Sequence, residues 1–295
     1  MGLLFWPFKI DRETPRRQSL MLLLLAASTG LALSGDLFNL YVFYELVAVA
    51  SFGLIAASAT GAAYAATFRY LLLSGIGSVL TLVGITLIYS QTGTLNLAHL
   101  AQLAPEQLNN PLGLAAFVAI LIGVGVKAEL FPVNSWVPEV YATAPARVSA
   151  ILAGLVSKLA VLIVVRLLVL LFPQPEAAQV MLLLGMLGVI SGELAAWRAQ
   201  DLKRMLAYSS IGQLGMIFIA FSLPAGGGLY AGLALTLHHM LVKPGCSCWR
   251  SAGGARCSGC VEQALFHRWG PGCLCCFRSR WWVCRRCPGF GPNCC

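Results

Sequence analysis

The sequence predicts an all-α, polytopic membrane helix bundle of about eight spans. Of its 295 residues, 58% are hydrophobic and 11% are charged. Soluble proteins carry about 25% charged residues, so a water-facing surface cannot be assembled for a chain of this length. Several apolar runs exceed the roughly 18 residues read as a bilayer span. The basic residues that separate those runs all fall on one side of the membrane.

The spans are expected at 19–35, 37–58, 68–90, 112–133, 148–172, 178–196, 205–223 and 226–243. Short connections marked by Gly, Pro, Asn or charge join them. The longest, 91–111, holds Asn96, Pro105, Asn109 and Pro111. Let side A hold the N-terminus. Alternation then puts nine basic residues there: Lys9, Arg12, Arg16, Arg17, Arg69, Arg147, Arg198, Lys203 and Arg204. The side-B loops, 35–36, 91–111, 173–177 and 224–225, hold none. The positive-inside rule makes side A cytoplasmic. Residues 1–18 are accordingly a cytoplasmic segment of a cell (inner) membrane protein. They are polar after Phe8, and the apolar run behind them has no small-residue cleavage site, so no secretory signal is evident.

Pro132, Pro138 and Pro145 follow the fourth span closely. Proline removes a backbone donor and kinks or ends a helix. The stretch from Phe131 to Arg147 is therefore expected as a broken helix or re-entrant piece. Such backbone persists at membrane depth only inside protein or along a wet cavity, and transporters use it in that way.

Glu45, Lys127, Lys158 and Arg166 sit inside spans. A charge at the bilayer centre costs roughly 2.5–3.5 kcal/mol on insertion scales, so these groups must face one another, carbonyls or water. Burial disfavours the charged lysine and a neighbouring carboxylate favours it. A Glu–Lys pair whose separation changes can thus load and unload a proton; a static pair would only fix packing. Arginine hardly deprotonates, so Arg166 reads as an anchor or field-setting charge. Glu129, two residues from Lys127, is expected on another helix face, solvated near the break. Glu193 reads as a snorkelling or pairing group. His238, His239 and Lys243 close the eighth span, and His239 and Lys243, four apart, share a face. Gly123-Val-Gly125-Val-Lys127 lacks P-loop spacing, and Gly75 and Gly77 read as helix-packing positions.

These residues also carry a family resemblance. Gly35-Asp-Leu-Phe-Asn-Leu-Tyr-Val-Phe-Tyr-Glu45-Leu resembles the glutamate helix of the antiporter-like subunits of complex I and Mrp antiporters. Lys127-Ala-Glu-Leu-Phe-Pro132-Val-Asn-Ser-Trp136-Val-Pro138-Glu139 is similar to their broken lysine helix. Ala144-Pro145 through Val148-Ser149-Ala150, with Gly154 and Lys158, is similar to the next helix. Asp201-Leu-Lys203-Arg204-Met-Leu-Ala-Tyr208-Ser209-Ser210 and His239-Met-Leu-Val-Lys243 complete five signatures in the family's order over about 36–243. The resemblance leans to the Mrp D-type branch. It implies an input pair, Glu45 and Lys127, a central relay at Lys158, and His239 and Lys243 leading onward, with Arg166, His238, Pro132 and Asp201 in support. It implies partners too: other membrane subunits of a complex I-like or Mrp assembly, in a lipid bilayer. The translocated ions would be protons, alone or in exchange for Na⁺. No redox centre or cofactor is expected in residues 1–243, and no nucleic acid as partner. At most the chain is a membrane subunit of a proton-translocating quinone oxidoreductase. Two departures stand out. About three N-terminal spans of the family are absent before the glutamate helix, and the second broken helix does not follow Lys243.

The chain divides chemically near Pro244. Residues 1–243 hold 13 Lys+Arg against 10 Asp+Glu; residues 244–295 hold 7 Arg against one Glu, and all 11 cysteines. Cys257, Cys260, Cys284 and Cys287 form two C-x-x-C pairs, which would suit zinc and make the chain a membrane-anchored metal-binding protein as the alternative reading. The genetic code favours another origin. Read one base upstream from the lysine codon, the codons after Lys243 allow Lys-Ala-Arg-Leu-Phe-Leu-Leu-Ala, close to the family's continuation Lys-Ala-Leu-Leu-Phe-Leu. Residues 19–243 are thus expected as a partial antiporter-like domain, and 244–295 as an out-of-frame, unstructured tail.

Overall fold

The computed structural model describes residues 15–223 and 226–251, which form helices joined by short turns. In chain order these are α1 Pro15–Leu33, α2 Leu37–Ala56, α3 Gly61–Thr92, α4 Leu97–Gln107, α5 Pro111–Gly125, α6 Val137–Thr143, α7 Ala146–Leu170, α8 Pro175–Arg198, α9 Leu202–Ser222 and α10 Gly226–Ser251. Local chemistry starts several of them. The Asp36 carboxylate accepts the N–H groups of Phe38 and Asn39, and the Asn96 and Asn110 side chains cap α4 and α5 in the same way. Pro111 and Pro175 occupy first-turn positions, where a missing N–H costs nothing. Gly93 ends α3 in the left-handed region at φ 67°, where glycine has no Cβ to clash.

Among the described residues, five helices are long and apolar enough to cross a membrane: α2, α3, α7, α8 and Lys203–Ser222 within α9. Of the helices at the remaining expected spans, α1 at the first opens on Arg16 and Arg17, ahead of the expected start at 19, and α10 at the last carries His238, His239 and Lys243. The fourth is an apolar helix of 15 residues. At about 1.5 Å per residue it rises about 22 Å, short of a hydrocarbon core of about 30 Å. The fold is an all-α, multi-pass membrane bundle.

Four features depart most from the sequence expectation. α3 begins at Gly61 rather than 68, because Thr60 caps it by accepting the Ala63 N–H. The connection 91–111 is not a plain loop: it contains α4, which buries Leu97, Leu100 and Ala104 on one face. The α-helix ahead of the break stops at Gly125, six residues before Phe131. α10 runs through Pro244 to Ser251, past the expected junction. The rest of the tail, including Cys257, Cys260, Cys284 and Cys287, lies outside the described residues.

Contacts between loops define the two ends of the bundle. At one end the α1–α2 and α3–α4 turns pair through backbone, with Leu37 N–H on Leu95 O at 2.8 Å and Leu97 N–H on Gly35 O at 2.9 Å. Gln174 donates to Leu108 O at that end at 3.1 Å. At the other end Arg17 donates to Ala57 O, Arg69 pairs with Glu139, and Lys203 donates to Ala142 O and Ala144 O. Between the ends, helices approach through glycine. A Cβ on Gly77 would lie 2.7 Å from Gly123 O, and one on Gly192 would lie 2.6 Å from Gly212 N. Such close backbone approach is the membrane mode of helix packing. Gly75, expected to share that role, has open space beside it.

Candidate functional site

The site is built around the end of α5. An interrupted helix leaves carbonyls without partners, and lipid cannot supply them. Here side chains do. Tyr44 of α2 donates its hydroxyl to Val124 O at 2.7 Å, and Trp136 donates its indole N–H to Val126 O at 2.8 Å. Leu130 N–H reaches back to Gly125 O at 2.9 Å. Tyr70 of α3 stacks on Trp136 with ring centroids 3.8 Å apart. Pro132 lies in this stretch, and its peptide bond with Phe131 is cis.

Lys127 follows directly. Its ammonium donates to Glu45 Oε1 at 2.9 Å and lies 3.8 Å from the centroid of the Tyr44 ring. The side chain of Lys127 is 2% exposed and that of Glu45 30%. A buried lysine thus rests on a carboxylate and an aromatic face, both supplied by α2. Glu45 and Lys127, separated by 82 residues, are brought into one pair.

Lys158 sits midway along α7, buried, with its ammonium 3.1 Å from Ser157 Oγ. Just before it, Leu152–Val156 is a π-helical turn. Gly154 in that turn admits α10: a Cβ there would meet the Pro244 ring at 2.6 Å. α10 then places two more buried groups beside Lys158. Lys243 donates to Leu206 O of α9 at 3.2 Å. His239 is 1% exposed, and neither ring nitrogen has a hydrogen-bond partner. Lys158 and Lys243 both act electrostatically on His239. A cavity of about 30 Å³ opens here, lined by Tyr141, Ala146, Ser149, Ala153, Lys203, Leu206, Ser210 and Lys243. That is room enough for water.

The supporting residues lie further out. Arg166 is one turn from the end of α7 and donates to Ser34 O at 2.9 Å, tying α7 to the α1–α2 turn. His238 is exposed, unlike its neighbour His239. Asp201 stands at the N-cap position of α9, exposed at the bundle end. None of these three touches the Glu45–Lys127 pair. Glu193 lies against α9, its Oε1 2.7 Å from where a Cβ on Gly212 would stand.

Glu129 corrects the sequence expectation. It is not solvated but 1% exposed, and it accepts the Tyr141 hydroxyl at 2.5 Å. The expectation assumed a continuous helix. The helix has already ended, and Glu129 has φ 57°, a left-handed conformation uncommon for residues other than glycine. The signal that could have found it is Pro132. Its ring conflicts with the carbonyl four residues back, inside the turn that holds Glu129.

Residues 34–257 match the family described as NADH:quinone oxidoreductase/Mrp antiporter, TM. The chain is 37% identical over 244 residues to NADH-quinone oxidoreductase subunit N of Desulforudis audaxviator, covering 80% of this chain and 48% of that protein. It is 31% identical over 222 residues to the D-type subunit of the Na(+)/H(+) antiporter of Bacillus subtilis, covering 75% and 45%. The chain spans about half the length of the curated relatives it matches. Among solved structures, a chain of the membrane-bound sulfane sulfur reductase, an archaeal respiratory membrane complex, superposes with a TM-score of 0.76 at 39% identity, over 82% of this chain and 51% of that one. A chain of the Mrp complex from Dietzia sp. gives 0.74 at 29% identity, over 84% and 49%. With the glutamate helix, the broken lysine helix and the histidine–lysine helix in one fold and one order, the chain belongs to the NADH:quinone oxidoreductase/Mrp antiporter transmembrane family.

Proposed function

We propose that this chain moves protons across the membrane through an intramembrane relay, as part of a larger complex I-like or Mrp-type assembly. Glu45 and Lys127 form the input pair, Lys158 is the central carrier, and His239 and Lys243 lead onward. The observation that carries the reading is the 2.9 Å ion pair of Lys127 with Glu45, the lysine buried at the end of an interrupted helix. A carboxylate that moves toward or away from a buried amine decides whether the amine holds its proton. The helix end is where a small backbone change can alter that distance. Relatives of the chain are named as subunits of quinone oxidoreductases and Na(+)/H(+) antiporters, which supports a multi-subunit setting and leaves Na⁺ as exchanged ion in one branch. The basic side A, with the N-terminus, is cytoplasmic on the charge rule.

The test is proton and Na⁺ flux in sealed vesicles carrying the assembled complex, normalised to the amount of assembled chain. Lys127→Ala and Glu45→Ala are expected to lower flux by at least about 100-fold, the scale of losing a proton-transfer group. Lys127→Arg is expected to fail too, because arginine keeps its proton at any usable pH. Normal pumping by Lys127→Arg would make Lys127 a fixed charge and end this reading. Flux that persists without Na⁺ assigns protons as the sole cargo.

A further inference from the structure

We propose that Glu129 is a second proton-carrying carboxylate, the partner of Lys158 and Lys243, connected to the adjoining cavity by Tyr141. This inference rests on the relay reading above and adds a station to it.

The geometry starts from the break. Lys127 and Glu129 are two residues apart, yet they serve different neighbours. The left-handed backbone at Glu129 (φ 57°) sends the chain round after α5 has ended at Gly125. Lys127 pairs with Glu45 of α2. Glu129 instead lies among groups of four other elements: Tyr70 of α3, Tyr141 of α6, Lys158 of α7 and Lys243 of α10. Two carboxylate–lysine groups therefore flank one interrupted segment.

The carboxylate is half satisfied. Oε1 accepts the Tyr141 hydroxyl at 2.5 Å, and Oε2 is buried with no hydrogen-bond partner. An unpartnered carboxylate oxygen in an apolar interior is costly, and native interiors seldom leave one without a reason. A protonatable carboxyl group that interacts electrostatically with two buried amines, Lys158 and Lys243, supplies that reason. His239, whose two ring nitrogens are also unpartnered, adjoins the same lysines. Tyr141 and Lys243 in turn line the water-sized cavity, so the residue whose hydroxyl holds Glu129 also borders that space.

A hydronium ion in the cavity gives a proton to the Tyr141 oxygen and becomes water, while the hydroxyl proton of Tyr141 moves to Glu129 Oε1. The carboxylic acid so formed gives a proton from either oxygen to the neutral Nζ of Lys158: one O–H bond breaks, one N–H bond forms, and the ammonium and carboxylate remain. The reverse sequence discharges Lys158 to the cavity.

The experiment compares Glu129→Gln, Glu129→Asp and Lys127→Ala in the assembled complex in vesicles. Glutamine keeps the shape and can still accept the Tyr141 hydroxyl, but it cannot carry a proton. Glu129→Gln is expected to assemble and to lower flux by at least about ten-fold. Glu129→Asp is expected to recover part of that flux with a displaced pH profile, which a purely structural side chain would not produce. Parental flux from Glu129→Gln overturns the proposal. Should Glu129→Gln fail to assemble, Glu129→Asp decides: a displaced profile supports the proposal and an unchanged one overturns it. Lys127→Ala separates the two levels. If it blocks flux while Glu129→Gln pumps normally, the relay stands and this station falls. If Lys127→Ala pumps normally, the relay reading itself fails.

Discussion

Helices α7 and α8 follow one another, with 25 and 24 residues, and both are apolar enough to span a membrane. They do opposite work. The apolar stretch of α7 is 83% buried within the chain, and that of α8 is 28% buried. α7 carries Lys158 at its middle and a π-helical turn just before it. α8 is regular α-helix from Pro175 to Arg198, and its only charges lie within two turns of its ends. The difference follows from what each helix has for a solvent. Lipid offers no hydrogen bonds, so a lipid-facing helix must satisfy every backbone group itself. A helix enclosed by protein can leave that pattern: within α7 the Ser157 hydroxyl donates to Ala153 O of the π-helical turn at 2.9 Å, and the Pro244 ring of α10 packs against Gly154. Irregular backbone and buried charge therefore go together, and both sit where protein rather than lipid is the surroundings.

The largest expected effect breaks the comparison at its charged side. Lys158→Met keeps most of the volume of the lysine stem and removes the only ionisable group in the middle of α7. Proton flux in vesicles is expected to fall by at least about 100-fold, with assembly and thermal stability close to parental. Placing a lysine at Leu187, on the exposed side of α8, should do the reverse. It cannot create a carrier, and it costs roughly 2.5–3.5 kcal/mol of insertion. Equal flux from Lys158→Met and parent would show that charge in α7 is incidental.

The second effect breaks the comparison at its packed side. α8 meets α9 through Gly185, Gly192, Gly212 and Gly215, whose missing Cβ atoms would each lie within 3 Å of the facing helix. In Gly192→Val the new Cβ would meet backbone, not a movable side chain, so the helices must separate. The expected cost is about 1–3 kcal/mol, as is usual for overpacking. Thermal unfolding in detergent is the measurement, with the transition lowered. Flux per assembled chain should change little, because α8 contributes no group to the proposed relay.

How much of this could be read from the sequence depends on how local the cause is. The spans were legible because hydropathy acts over about 20 residues, and the starts of α2 and α5 fall within a residue of expectation, where Asp36 and Asn110 bond to backbone within three residues. The Glu45–Lys127 pair was legible as a requirement, since opposite charges placed inside spans need each other. The place of Glu129 was legible only through Pro132, whose ring conflicts with the carbonyl four residues back. Its orientation follows from its own left-handed backbone, past a helix end that no proline marks directly, and from Tyr141, twelve residues away, closing back on it. α4 was missed for a different reason. Pro105 read as a breaker, yet it lies inside the helix near its end, while Leu97, Leu100 and Ala104 already held the helical spacing.

The smallest expected effect sharpens the role of glycine itself. Gly75 and Gly77 stand two residues apart on α3, and the sequence treats them alike. Two residues is about 200° around a helix, so they face nearly opposite ways. A Cβ on Gly77 would lie 2.7 Å from Gly123 O and 2.8 Å from Val126 Cγ2, just ahead of Lys127. A Cβ on Gly75 would meet nothing within 4 Å. Gly75→Ala is therefore expected to leave flux unchanged and to stabilise α3 slightly, by up to about 1 kcal/mol, since alanine is the better helix former. Gly77→Ala is expected to push α3 off α5, destabilise the fold and, because the contact adjoins the helix end that carries Lys127, lower flux as well. Thermal unfolding and vesicle flux of the two variants, measured side by side, read both effects. A stability loss at Gly75→Ala as large as at Gly77→Ala would mean that a partner outside this chain covers the Gly75 face of α3.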